Sequence, residues 1–565
     1  MKRIAGIIVL VAAVAAAAGG WYVYQGNAGG DAGGAQPLLA HVPADTTYYF
    51  GYSKAYPAAD YAMLWQGMMP ANAGEDLPDP AEARKEAGDA GAILMALYQM
   101  QIEATRAGEP LARFGLDASG IGGFYEVRGL PVFRRRVADT EAFWKALDEA
   151  ESSAGVTAGG SEAGQRRYPF KAGEAGEPPA LVIAVRDGYV VATLAVSDMA
   201  DALPVALGKE TPAETLNDTD RLAQLADTHE TLPWATGFIE HGALAQAFTG
   251  NGDSGLGRLI TAVVSAYGEE PPRMDDACRD DVTRLAELWP RSVIGLTELD
   301  ADTGRAGVRL ATPVTDPALA ETMMRLRGHI PAPADGGVAS FGIGVNVSEL
   351  LPVARELAGR FTAADFQCAP LKGLQAQVAR SDLSSLGMAT SMLRDVRGAA
   401  ATLLTPEMNG QSPKGVVEIA TPQPKALWSM ASGFLGAGEA PEVGGPPVAI
   451  QAPMAGSGPV RVALRKDRFI VLAGEGVEIP TASTGDDEAL APNGLLAVRY
   501  NLAQASEFLG AMGSLPGTGG AVTDDEELAE LQGTLGQIDV DYGIALDVTA
   551  DSIRYDMTVA PGETP

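Results

Sequence analysis

Cysteine and histidine are scarce in this chain of 565 residues: two of the first, Cys278 and Cys368, and four of the second, His41, His229, His241 and His329. Neither C-x-x-C nor H-E-x-x-H occurs, which removes the usual zinc frameworks and leaves few ligands for any other. Cofactor motifs are missing as well. There is no phosphate loop ending in G-K-[ST], and the Gly-rich stretches 120–123 and 341–346 lack the dinucleotide fingerprint. The serine elbow G-x-S-x-G is absent, since "MAGSGP" (454–459) has the wrong spacing. No cofactor and no metal are expected. Positive charge is the scarcer sign, with 41 Lys and Arg against 72 Asp and Glu and a formal net charge of −31. No basic stripe stands out, which argues against nucleic acid as a partner and against charge-driven binding to an anionic surface.

What is present is globular material. Apolar residues make up 46% and charged residues 20%, a balance that can bury two or more cores at this length. The N-terminus differs from the rest. Lys2 and Arg3 precede an uncharged run of 21 residues, 4–24, long enough to cross a hydrocarbon core of about 30 Å at about 1.5 Å per residue. The expectation is a signal anchor over 1–25, with Trp21, Tyr22 and Tyr24 as its membrane-interface belt. The alternative is a cleaved signal peptide, for which Ala16-Ala17-Ala18 offers a site, leaving a soluble periplasmic protein. With the anchor retained, the positive-inside rule makes this a single-pass inner-membrane protein with its bulk in the periplasm. Residues 26–37 read as a flexible Gly/Ala tether. In that oxidising space Cys278 and Cys368 are expected to form one disulfide, against the alternative of two buried thiols.

The remainder repeats itself. "PALVIAVRDGYVVAT" (179–193) matches "PVRVALRKDRFIVLA" (459–473) without gaps, "EVRG" (126–129) is echoed by "DVRG" (395–398), and Trp144 and Trp428 recur in the helices that follow. "PADTTYYFGY" (43–52) resembles "PADGGVASFGI" (333–343), and "VRLATP" (308–313) resembles "VEIATP" (417–422). The spacing predicts an α+β protein of two related halves, 38–330 and 331–565, with antiparallel hairpins alternating with amphipathic helices such as 139–152 and 348–361. Asp300 and Asp302 could open a calcium loop, but positions five, six and twelve are Gly304, Arg305 and Ala311. Asp-Thr-Gly between alternating flanks predicts a tight turn instead.

The anchor, the Gly-rich tether, "HVPADTTYYFGY" (41–52) and "FGLDASG" (114–120) together resemble uncharacterised bacterial membrane-anchored envelope proteins built on a domain of unknown function. The resemblance covers mainly the first half. It implies an envelope-facing location and carries no catalytic residues.

Two clusters invite chemistry. His229-Glu230 and Glu240-His241 flank a predicted strand at 235–239; exposed turn histidines are the plain reading, a hydrolytic pair the sharper one. Met63, Met68, Met69, Met95 and Met100 could fill an adaptable core, line an apolar groove or bind Cu(I). The function expected is a non-enzymatic, membrane-anchored periplasmic binding or interaction protein, its partner another envelope protein or an apolar ligand. The alternatives are a periplasmic hydrolase with a site assembled from scattered acids, or a structural or assembly factor of the envelope.

Overall fold

The computed structural model describes residues 38–562 apart from 56–76, 110, 119, 160–163, 172–176, 251–253, 271–272, 301–302, 406–413, 436–438, 451–458, 482–489 and 505–538. The chain is α+β, with all its paired strands antiparallel. It divides into two compact units, Met1–Gly304 and Arg305–Pro565.

In the first unit the strands are β1 (Tyr48–Tyr52), β2 (Gly122–Val127), β3 (Leu130–Arg136), β4 (Gln165–Pro169), β5 (Ala180–Arg186), β6 (Tyr189–Ala195), β7 (Thr236–Glu240) and β8 (Arg291–Asp300). They pair in the order β4-β5-β6-β3-β2-β1-β7-β8. The helix Thr140–Ala154 follows β3. Asp139 caps it by accepting from the backbone of Glu141 and Ala142 at 3.0 Å, and Gly155 ends it at φ 61°. The guanidinium of Arg166 on β4 sits 5.0 Å from the Trp144 ring of that helix. Tyr49, Tyr125, Val132 and Phe238 are buried to 0% exposure, and the core they share takes in Leu38 and Val42 from the entry segment.

The second unit holds β9 (Arg305–Pro313), β10 (Ala339–Ile343), β11 (Gly398–Thr405), β12 (Lys414–Ala420), β13 (Val448–Ile450), β14 (Val460–Leu464), β15 (Arg468–Ala473), β16 (Leu496–Asn501), β17 (Val540–Val548) and β18 (Ser552–Pro561). Their order is β13-β14-β15-β12-β11-β10-β16-β17-β18-β9. The first eight places run as in the first unit, strand for strand. The helix Pro424–Leu435 follows β12 and lays Trp428 on Val462, Leu464 and Phe469. On the opposite face Val416, Ala463, Ile470 and Leu472 pack with Val477 and Ala334.

The compact division falls at 304/305, not at the expected 330/331, because β9 pairs with β18 along its length, from Ala306 opposite Val559 to Pro313 opposite Ser552. The ladders also refine the sequence matches. Val132 faces Thr193 and Val416 faces Leu472, so β6 and β15 correspond one residue away from the gapless match. Such a step exchanges the two faces of a strand. It is shared by both strands of the hairpin, since Val182 faces Thr193 as Arg461 faces Leu472, so the turns are equal and the hairpin is displaced as a whole. Residues 126–129 close β2 while 395–398 open β11, and 308–313 lie in β9 while 417–422 begin in β12. Those two matches are not at corresponding places.

Among the described residues no helix is long and apolar enough to cross a membrane. The expected anchor over 1–25 with Trp21, Tyr22 and Tyr24, and the tether over 26–37, lie outside the described residues.

Candidate functional site

The residues singled out from sequence fall in several places. Cys278 lies in the first turn of the helix Asp276–Leu288, its amide bonded to Asp275 Oδ1 at 2.7 Å. Cys368 is the N-cap of the helix Ala369–Ala379. Both are buried and both are disulfide-bonded. Asp300 accepts from the Thr303 amide at 3.3 Å and Gly304 takes φ 67°, as a turn requires; Asp302 lies outside the described residues. Met100 belongs to the main core of the first unit, and Met95 is half-buried. Met63, Met68 and Met69 lie outside the described residues.

The two histidines are not exposed turn residues, although Glu230 beside the first is. His229 ends the helix Arg221–His229 at 3% exposure. His241 opens the helix His241–Phe248, its Nδ1 on the Trp289 carbonyl at 2.5 Å and its Nε2 on Ser292 Oγ at 3.0 Å. Glu240 is held by Arg221 and Arg291. His229 is carried inward as the last residue of its helix, and His241 because β7 ends at Glu240 just where the next helix begins.

A different place in the second unit has the features of a site. Residues 329–333, His-Ile-Pro-Ala-Pro, form a strap over the floor made by β16, β10 and β11. One end is tied by Asn493, whose Oδ1 accepts from the Ile330 amide at 2.7 Å and whose Nδ2 donates to the Ile330 carbonyl at 3.0 Å. The other end is tied by Thr402, whose Oγ1 accepts from the Ala334 amide at 3.1 Å. Between the ties Pro331 and Pro333 have no amide hydrogen to offer a strand, so this stretch cannot join the ladder. Beneath it lies a hollow of about 330 Å³, lined by His329, Ile330, Ser340, Ala400, Ala497 and Arg499 among others.

Strand pairing explains the hollow. Ser340 on β10 faces Thr402 on β11 and Arg499 on β16. In the first unit Tyr49 on β1 faces Tyr125 on β2 and Phe238 on β7. Three large rings at 0% exposure thus occupy the row that the second unit gives to Ser, Thr and an outward-reaching Arg. The Tyr49 ring lies directly over Gly51, the counterpart of Gly342 on the floor of the hollow. Burial raises the phenol pKa of Tyr49 and of Tyr125, with the Arg134 guanidinium opposing the rise at Tyr125.

His329 is 4% exposed, and its Nδ1 lies 3.0 Å from the Ala491 carbonyl oxygen. That oxygen only accepts, so Nδ1 carries the proton and Nε2 of the neutral ring presents a lone pair. Nε2 is buried and has no hydrogen-bond partner. It makes no bond to Ser340, so the two do not form the nucleophile–base contact of acyl transfer. Arg499 is exposed and, among the described residues, makes no hydrogen bond or ion pair. Arg309 is paired with Asp556 at 2.6 Å and Arg327 with Asp547 at 2.7 Å, whereas Arg355 and Arg380 are, like Arg499, exposed and unpaired among the described residues. The arrangement offers one cation, one hydroxyl and one buried acceptor above an apolar floor, which suits binding of a small polar molecule.

Sequence reading passed over His329, Ser340, Asn493 and Arg499. A signal for His329 existed: His41-Val-Pro-Ala-Asp and His329-Ile-Pro-Ala-Pro-Ala-Asp both lead into the first strand of their unit. Arg499 and Ser340 carry no such mark, since only the ladder reveals that they are neighbours. No protein-family model, curated protein or solved structure matches this chain.

Proposed function

We propose that this protein is a membrane-anchored binding protein of the bacterial envelope, with its bulk in the periplasm. It consists of two tandem copies of one α+β unit, the first a filled scaffold and the second the carrier of a ligand site. The observation that carries the binding role is the hollow under residues 329–333, where Ser340 and Arg499 stand in the places of Tyr49 and Phe238. The orphaned Nε2 of His329 supports the same role, because a buried acceptor without a partner costs about 1–3 kcal/mol unless a ligand or water completes it. The anchored topology rests on the apolar run 4–24 with its basic start and aromatic end. Cys278 and Cys368 are both disulfide-bonded in a chain with no third cysteine, and we assign them to each other.

Native mass spectrometry of the full chain, extracted from its own membranes in mild detergent, tests this reading. The expected result is a small-molecule adduct on the wild type that is lost in Ser340→Tyr, which restores to the second unit the ring of the first. Wild-type protein without any adduct, or recovered entirely from the soluble fraction, overturns it.

A further inference from the structure

We infer that the hollow of the second unit selects a small organic carboxylate with an apolar body and a hydroxyl or amide N–H donor near its charged end. This deepens the binding role proposed above and rests on it. Three features of the walls point to that class, each independent of the others.

The first is Arg499. Among the described residues its guanidinium makes no hydrogen bond or ion pair, as is true of the exposed Arg355 and Arg380, but it alone of these three lines the hollow. It stands on the floor of the hollow, flanked on β10 by Ser340 and on β17 by Gly543, neither of which carries charge. A planar fork of donors beside a hydroxyl suits a carboxylate, which accepts two parallel hydrogen bonds. The second is His329. Its tautomer is fixed by the Ala491 carbonyl, so the neutral ring can only accept at Nε2. While the ring is neutral, a ligand O–H or N–H completes that nitrogen. The third is the remainder of the lining. Ile330, Pro331, Ala400 and Ala497 are apolar, and about 330 Å³ lies at the small end of the roughly 300–1,000 Å³ usual for ligand sites. A compact aliphatic body fits such walls.

Three compounds that differ at one group each separate these features: 2-hydroxyisovalerate, isovalerate without the hydroxyl, and 2-hydroxyisovaleramide without the charge. Titration calorimetry on the full chain in detergent should rank the hydroxy acid tightest, with the loss of either group weakening binding by roughly tenfold. Arg499→Gln should erase the preference for acid over amide and keep the preference for the hydroxyl. His329→Leu should do the reverse, with circular dichroism confirming that both variants are folded. The proposal is overturned if the amide binds as tightly as the acid, if either substitution leaves both preferences intact, or if none of the three compounds binds. A native adduct that Ser340→Tyr removes but that carries no carboxylate would also overturn it, and would leave the binding role standing.

Discussion

The two units use one strand order and finish it in opposite ways. Across β7, β1 and β2 the first unit stacks Phe238, Tyr49 and Tyr125, all at 0% exposure. Across β16, β10 and β11 the second sets Arg499, Ser340 and Thr402. Each ring can bury about 150–250 Å² and contributes several kcal/mol at about 25 cal/mol/Å². The first row is therefore a source of stability, and the second forgoes that gain and keeps space. The neighbouring row inverts charge. Arg134 on β3 corresponds to Glu418 on β12, because Gly123 faces Arg134 as Ala400 faces Glu418. Arg134 is 0% exposed, donates to the Tyr125 hydroxyl at 3.0 Å and lies 5.8 Å from the Tyr189 ring, with Nη1 and Nη2 unsatisfied. Glu418 instead accepts from Arg468 at 3.3 Å, and both are nearly dry. Arg468 stands where the first unit has Tyr189. A shared ladder thus fixes where side chains meet and leaves open what they do there.

Tyr125→Ala breaks the comparison most strongly. It leaves a cavity amid Tyr49 and Val132 and removes the one hydrogen bond to a buried guanidinium. The expected loss is about 3–5 kcal/mol, read from urea unfolding. The matching Thr402→Ala should cost about 1 kcal/mol, since it removes one methyl and the hydroxyl that accepts from the Ala334 amide. Equal losses would show that the hollow is as tightly packed as the filled row.

The buried charges should respond with opposite signs. Glu418→Gln removes from Arg468 its buried counter-charge, with Asp467 farther off at 3.8 Å, and should cost about 3 kcal/mol. Arg134→Met removes a cation that has no carboxylate partner and keeps most of its volume. That change should be neutral or stabilising by about 1–2 kcal/mol. Thermal unfolding of both variants decides the matter, and a large loss in Arg134→Met would mean that its terminal nitrogens are satisfied in solution.

The fold was legible from sequence where period and caps agree. The helix after β3 is announced by Asp139 and its apolar stripe, and the hairpin of β5 and β6 by Asp187-Gly188 between Val-rich runs. Correspondence between the halves was legible in outline but not in register, because Ala- and Val-rich strands match equally well one residue apart. The site was not legible at all. Ser340 and Arg499 are 159 positions apart and meet only because β10 and β16 pair. His229 and His241 attracted notice through their glutamate neighbours, yet Glu240 serves Arg221 and Arg291.

The smallest predicted effect concerns His41, which stands before β1 as His329 stands before β10. Burial, then the Arg134 cation, push its pKa from 6.5 down to about 4, while Asp187 opposes them. Its ring meets Tyr189 edge-on at 6.1 Å. The folded protein therefore resists protonating a ring that the unfolded chain protonates near pH 6.5. Stability from this group is complete above about pH 6.5, falls as pH drops toward 4 and is constant below. His41→Gln should flatten the stability curve in that window by an amount on the order of 1 kcal/mol, because the ring is only half-buried and solvent screens part of the shift. Arg134→Met should raise the His41 pKa without restoring 6.5, since burial remains. Following the ring proton by NMR across pH 3–8 in both backgrounds separates the two causes. An unchanged His41 titration in Arg134→Met would mean that the buried cation of the first unit does not act on the ring beside it.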